Sequence, residues 1–183
     1  MRKFSVKSVV AIGIGAALFF VLGRFVAIPS PVPNVTISIQ YGLLAFMAVL
    51  FGPVVGALVG FIGHFFIDLS AGWGVWWSWV ITSGIFGALC GLLSGKIRLW
   101  DGLFGKKDIV RFIIAVVVGH LLCWALAAPV LDIVIYAEPA NKVFLQGLVS
   151  AAANIVTTLI VGGILCWVYA KAKPRKGSLK EEK

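Results

Sequence analysis

The chain has 183 residues, 61% of them hydrophobic and only 13% charged, with a formal net charge of +9. A soluble fold of this length cannot hide that much apolar surface, so lipid is the solvent for most of the chain. The positive charge does not indicate nucleic acid either: fourteen of the sixteen Lys and Arg fall at the N-terminus, in the 94–111 segment or after Trp167, between apolar runs rather than on one face of a domain.

The first residues, Met1-Arg2-Lys3, precede an apolar run over 8–28 and superficially resemble a secretory signal. The run is too long for one and lacks a small-x-small cleavage site before further membrane segments, so it reads as a retained first helix over 7–28. Pro29, Pro31 and Pro33 end that helix, because a proline-rich break cannot continue it. In the loop that follows, 29–40, the alternation Val35-Thr36-Ile37-Ser38-Ile39 predicts a short extended segment lying over a cavity.

The next apolar stretch, 41–69, exceeds the roughly 20 residues of one straight span and is interrupted by Gly52-Pro53. It splits into helix two, 41–51, and helix three, 53–69, with Pro53 suited to a first helical turn. Ala71-Gly72-Trp73-Gly74 makes a flexible outer loop, and helix four follows over 75–93, opening on Trp76, Trp77 and Trp79 as a membrane interface favours. After the polar connection 96–107 come helix five, 109–134, and helix six, 143–170.

The predicted fold is thus all-α: a polytopic membrane domain, residues 1–172, with six transmembrane helices. A disordered basic cytoplasmic tail, 173–183, follows it. The 94–111 loop holds Lys96, Arg98, Lys106, Lys107 and Arg111, whereas the opposite side has only Arg24 and Lys142, set among Asp68, Asp132 and Glu138. By the positive-inside rule both termini face the cytoplasm, in agreement with the parity of six spans.

Polar groups inside lipid-spanning helices are costly and are functional candidates by default. Arg24, Asp68, Trp73, Trp76, Trp79, Gln146, Ser150 and Asn154 all map to the outer half, which predicts an outward-facing pocket. Gln146, Ser150 and Asn154 recur at i, i+4 and i+8 and share one face of helix six, for ligand binding or for interhelical hydrogen bonds. On helix three His64 and Asp68 lie one turn apart, and Asp68 is placed to pair with Arg24 across the bundle, a pair open to substrate contact or to a purely structural role. Trp76 and Trp79 share a face with Ser83 and point inward, while Trp77 suits the lipid belt. Asn34 and Gln40 are the first loop's polar candidates. His120, in mid-helix five, is a weaker candidate that hydrogen-bonds a neighbouring backbone in the alternative reading.

Cys90, Cys123 and Cys166 all fall in apolar stretches without the spacing of a metal or redox motif, so no metal, cofactor or catalytic constellation is read. Small residues also recur at helical spacing. Gly56, Gly60 and His64 form a close-packing face on helix three, and Gly13 with Ala17 and Ala11 with Gly15 do so on more than one side of helix one, leaving a face for another protein.

With these features the chain resembles the substrate-binding S components of energy-coupling factor (ECF) vitamin importers, in the branch near the riboflavin-type S components. The resemblance covers nearly the whole sequence. Its most specific stretch is 50–64, with Gly52-Pro53 and the spaced Gly56, Gly60 and Gly63 before His64; the 11–17 run is similar to the small-residue surface by which such proteins dock on their coupling subunit. The resemblance implies six helices, an outward site capped by the first loop, and partnership with a transmembrane coupling subunit and two cytoplasmic ATPases. No Walker A sequence is present, so energy from ATP must come through another subunit.

Two other classes are weighed against this. A stand-alone secondary transporter or channel calls for polar groups through the full membrane depth and often for internal repeats, neither of which is clear here. A membrane enzyme calls for a catalytic motif, and no His-Glu-x-x-His, Gly-x-Ser-x-Gly or paired intramembrane acids are found.

Overall fold

A computed structural model describes residues 5–72 and 74–173. The helices are α1 (Val6–Phe25), α2 (Gln40–Phe51), α3 (Pro53–Ala71), α4 (Trp77–Leu93), α5 (Lys106–Tyr136) and α6 (Ala140–Ala172). Of these, α1, α3, α5 and α6 are long and apolar enough to cross a membrane, and α2 and α4 are shorter apolar helices of 12 and 17 residues. The predicted tail from 174 onward lies outside the described residues.

The first helix stops at Phe25, three residues before its predicted end, because the chain turns into an extended segment ahead of its prolines. Strand β1 (Ile28–Pro29) pairs antiparallel with β2 (Thr36–Ile37), with Ile28 opposite Ile37 and Pro29 opposite Thr36. Asn34, at φ 63°, supplies the left-handed residue of the turn between them, a conformation that Asn tolerates better than most side chains. The alternating segment is therefore a hairpin arm.

Helix α2 is the core of the bundle, with nine of its twelve residues buried. It needs no polar face because other helices rather than lipid surround it. Gly52, at φ 97°, makes the abrupt turn into α3, and Pro53 opens that helix where a missing N–H costs nothing. Along α3 and α4 the backbones are in contact: a Cβ on Gly56 would stand 2.5 Å from the Gly87 carbonyl oxygen, and one on Gly60 would overlap the Ser83 carbonyl. The Gly56, Gly60 and His64 face thus packs on α4.

Helix α5 runs longer than predicted in both directions. Gly105 caps it with Asp108, whose Oδ2 accepts the Gly105 N–H at 3.0 Å. Near its middle a π-helical stretch, Leu121–Ala127, widens the helix just before Pro129, which has no N–H to give to the preceding turn. Helix α4, in contrast, begins at Trp77 rather than at 75, for a reason that belongs to the site. At one end of the bundle lie the α2–α3 turn and the basic 94–111 connection, where Lys173 donates to the Trp100 carbonyl and sits 4.7 Å over its ring. The hairpin, the α3–α4 linker and the α5–α6 turn lie at the other end.

Candidate functional site

That other end holds a cavity of about 550 Å³. It is lined by the end of α1 (Gly23, Arg24), the hairpin (Asn34, Thr36, Ser38), the start of α2 (Gln40, Tyr41), the end of α3 (His64, Asp68), the start of α4 (Trp76, Trp79), the second half of α5 (Trp124, Asp132) and the start of α6 (Gln146, Ser150, Asn154). Its size and its mixture of aromatic rings with a few converging polar groups suit a small organic ligand.

One wall is built on Asp132. The Trp76 Nε1–H donates to its Oδ1 at 2.7 Å, the Trp79 Nε1–H donates to its Oδ2 at 2.9 Å, and the Ser78 hydroxyl donates to Oδ1. Asp132 is only 2% exposed, so its charge must be met by such donors or cost several kcal/mol in the apolar interior. The Trp76 backbone N–H donates to Asp68 Oδ2 at 2.9 Å, and its ring stacks on Tyr136 at 4.1 Å. Trp76 is consequently held at φ −92°, ψ 87° as the residue before the helix. This is why α4 begins late.

The floor is an aromatic cluster with a buried polar chain beneath it. Tyr41 meets Trp124 edge-on at 5.3 Å between centroids, and Trp79 meets Trp124 at 5.1 Å. Behind them Ser83 Oγ lies 2.5 Å from His64 Nδ1 and 2.9 Å from Tyr41 Oη, while His64 Nε2 lies 3.6 Å from Asp68 Oδ1. Tyr41, Ser83 and His64 thus bond one another, and His64 faces Asp68 at the cavity wall.

The face of α6 supplies the third side. Gln146 Nε2 donates to the Pro33 carbonyl at 2.8 Å, and the Ser38 hydroxyl donates to Gln40 Oε1 at 2.9 Å, so the hairpin is fastened to both α6 and α2. The Ser150 hydroxyl is buried with no hydrogen-bond partner among the described residues, and Asn154 is 4% exposed one turn deeper. At the rim Lys142 pairs with Glu138 at 2.7 Å.

Of the residues singled out by sequence, Arg24, Asn34, Gln40, His64, Asp68, Trp76, Trp79, Gln146, Ser150 and Asn154 line this cavity. Ser83 stands behind His64 instead, and Trp73 lies outside the described residues. The Arg24–Asp68 pair does not form: Asp68 is held by His64 on its own helix and by the Trp76 amide, and Arg24 stays exposed. Nor does Trp76 share a helical face with Trp79, since it precedes the helix; one carboxylate gathers both rings. Trp77 is 43% exposed on the outside. His120 lies away from the cavity, where it bonds the Thr158 side chain at 3.0 Å rather than a backbone group and stacks on Phe86 at 3.9 Å.

On α1, Ala11 and Gly15 are turned into the bundle, with a Cβ on Gly15 meeting Val59 at 2.8 Å, so they are not available for docking. Gly13 and Ala17 remain on the open face. Tyr41, Trp124 and Asp132 are among the lining residues that the sequence candidates did not include. Asp132 carried a usable signal, an acid within an apolar run. Among the described residues no three His, Cys, Asp or Glu side chains gather as a metal ion requires.

Comparison with known proteins gives consistent matches. The family model described as ECF-type riboflavin transporter, S component, matches residues 3–171. A UPF0397 protein of Staphylococcus aureus strain JH9 and another of strain N315 are each 49% identical over 181 residues, covering 99% of this chain and 98% of theirs. Among solved structures, ThiT from Listeria monocytogenes superposes with a TM-score of 0.63 at 15% identity, over 92% of this chain and 96% of its own. The S component of a bacterial ECF transporter superposes with a TM-score of 0.55 at 20% identity, over 89% and 90%. These two likenesses concern the fold.

Proposed function

The chain belongs to the family of ECF-type riboflavin transporter S components, and on that premise we propose that it is the membrane-embedded substrate-binding subunit of an ATP-driven importer for a vitamin or related small heterocyclic micronutrient. The family is one of membrane transporter components and not of enzymes. The observation that carries the reading is the position of the cavity: indole, amide and hydroxyl groups converge at the end of the bundle opposite the basic 94–111 connection. Under the positive-inside rule the cavity opens outward, both termini are cytoplasmic, and α1 to α6 make six spans of the plasma membrane.

Flat heterocycles fit this lining. Trp79, Trp124 and Tyr41 offer ring faces and edges for stacking, and Asn154 and Ser150 offer hydrogen bonds that fix orientation. The hairpin fastened by Gln146 is the lid over the mouth. A transmembrane coupling subunit and two cytoplasmic ATPases supply the energy, with the open Gly13 and Ala17 face of α1 as the docking surface, because a small-residue face allows close helix approach.

Mass spectrometry of small molecules released from gently purified protein tests the reading directly. A co-purifying heterocycle that also raises the melting temperature supports it. If no vitamin-sized molecule is released and riboflavin, added in excess, leaves the melting temperature unchanged, the cavity is not a vitamin site.

A further inference from the structure

We propose that Asp132 is a positioning residue: it sets where the two indoles of the cavity wall stand, and through them what the cavity accepts. The inference rests on the cavity being the substrate site. Asp132 comes from α5, whereas its three donors, Trp76, Ser78 and Trp79, all come from the start of α4. No Lys or Arg pairs with Asp132 among the described residues, so these hydrogen bonds are what stabilise its charge. Such an arrangement is restrictive, since withdrawing the Trp79 ring strands one oxygen of a buried carboxylate.

The two oxygens divide the work. Oδ1 takes Trp76 and Ser78, and Oδ2 takes Trp79 alone. Asp68 fixes the Trp76 backbone independently, and Tyr136 stacks on its ring, so Trp76 has other restraints. The Trp79 ring, on the contrary, has its only polar restraint among the described residues in Asp132, and it is the ring that meets Trp124 across the floor. Asp132 therefore acts on the ligand chiefly through Trp79.

Asp132→Asn separates the two oxygens. The amide keeps one acceptor, which serves Trp76 and Ser78, and turns an NH2 toward the Trp79 N–H, a donor facing a donor. The test records indole 15N–1H resonances of the full chain in detergent, assigned through Trp76→Phe and Trp79→Phe, together with titration of riboflavin as the probe. The expected result is a displaced Trp79 resonance whose proton exchanges at least about tenfold faster, little change at Trp76, and riboflavin binding weakened about tenfold. Unchanged indole resonances overturn the proposal, and so does a displaced Trp79 with unchanged affinity. Should Asp132→Asn lose its helical circular dichroism, Asp132→Glu carries the test: it keeps both acceptor oxygens but moves them by one methylene, so the Trp79 resonance must shift, and an unmoved Trp79 resonance overturns the proposal. A wild-type chain that binds no riboflavin removes riboflavin from the substrate reading above without touching this proposal, and the indole resonances then decide the role of Asp132 by themselves.

Discussion

Gln146 and Pro33 meet across the mouth of the cavity, the Gln146 amide donating to the Pro33 carbonyl at 2.8 Å although the two residues are 113 apart in sequence. The bond joins α6 to the hairpin turn, so the hairpin is tied to the helix that carries Ser150 and Asn154. A neutral hydrogen bond of this kind contributes about 1 kcal/mol net, or about fivefold in an opening equilibrium. Gln146→Ala should therefore speed amide hydrogen exchange in the 30–37 segment about fivefold while leaving exchange in α2 unchanged. Equal exchange in wild type and variant would show that the hairpin holds itself.

The contact between α3 and α4 leaves no room for a methyl group. A Cβ on Gly87 would overlap the Gly56 backbone, and one on Gly91 would lie 2.6 Å from the Pro53 Cα, with backbone and not a flexible side chain in the way. Gly87→Ala should cost about 2 to 3 kcal/mol, as overpacking does when helices must separate. Gly163→Ala, on an open face with nothing within 4 Å, should change stability by less than about 0.5 kcal/mol. Thermal melts in detergent compare the two, and equal melting temperatures would contradict the close packing.

Much of the fold was legible because its punctuation is chemical. Gly52-Pro53 divides an apolar run too long for one span, and the run's two parts are α2 and α3 as the break implies. The alternation around Thr36 marked the hairpin arm in the same way. What escaped was set by tertiary contacts. The start of α4 depends on Asp68 capturing the Trp76 amide from eight residues earlier, and no local signal in 75–77 records that. Periodicity placed Gln146, Ser150 and Asn154 on one face because α6 is regular, whereas the π-helical stretch Leu121–Ala127 lies in a run read as one regular helix five. The proposed Arg24–Asp68 pair failed on proximity: His64 and the α4 terminus reach the carboxylate first.

Ser83 is shared between His64 and Tyr41, and that sharing makes a measurable prediction. Ser83→Ala removes both contacts at once, yet Tyr41 Oη and His64 Nδ1 are 3.5 Å apart and can bond each other in its place. The loss should be about 1 kcal/mol, and Tyr41→Phe should cost a similar amount. The double variant should then fall short of the sum by about 0.5 kcal/mol or more, as groups in one network do. Strict additivity in chemical denaturation would mean that Ser83 serves only one partner.

The proposed docking face on α1 can be tested apart from folding, because Gly13 faces outward and Gly15 inward. With nothing within 4 Å of a Cβ on Gly13, Gly13→Leu should leave the melting temperature of the isolated chain within about 1 °C. The same substitution places a bulky side chain where a coupling subunit's helix must approach, and co-purification of the transmembrane coupling subunit should drop at least tenfold. Retention of the full complex by Gly13→Leu would move the docking surface to another helix.

The orientation of the whole molecule can be decided by two cysteines. The native Cys90, Cys123 and Cys166 are all buried, so they should be silent to a membrane-impermeant maleimide and need not be removed. Ser70 is exposed at the cavity end of α3, and Lys96 is exposed just beyond the far end of α4, so α4 alone separates them. Helix α4 has 17 residues, about 26 Å at 1.5 Å per residue, close to the thickness of the hydrocarbon core. On the proposed six-span reading the two sites then lie on opposite sides of the membrane. Ser70→Cys should be labelled on intact cells and Lys96→Cys only after permeabilisation, as the positive-inside rule expects of a basic connection. The reverse pattern would turn the cavity toward the cytosol, where it has no use in uptake, and labelling of both from outside would mean that α4 does not span.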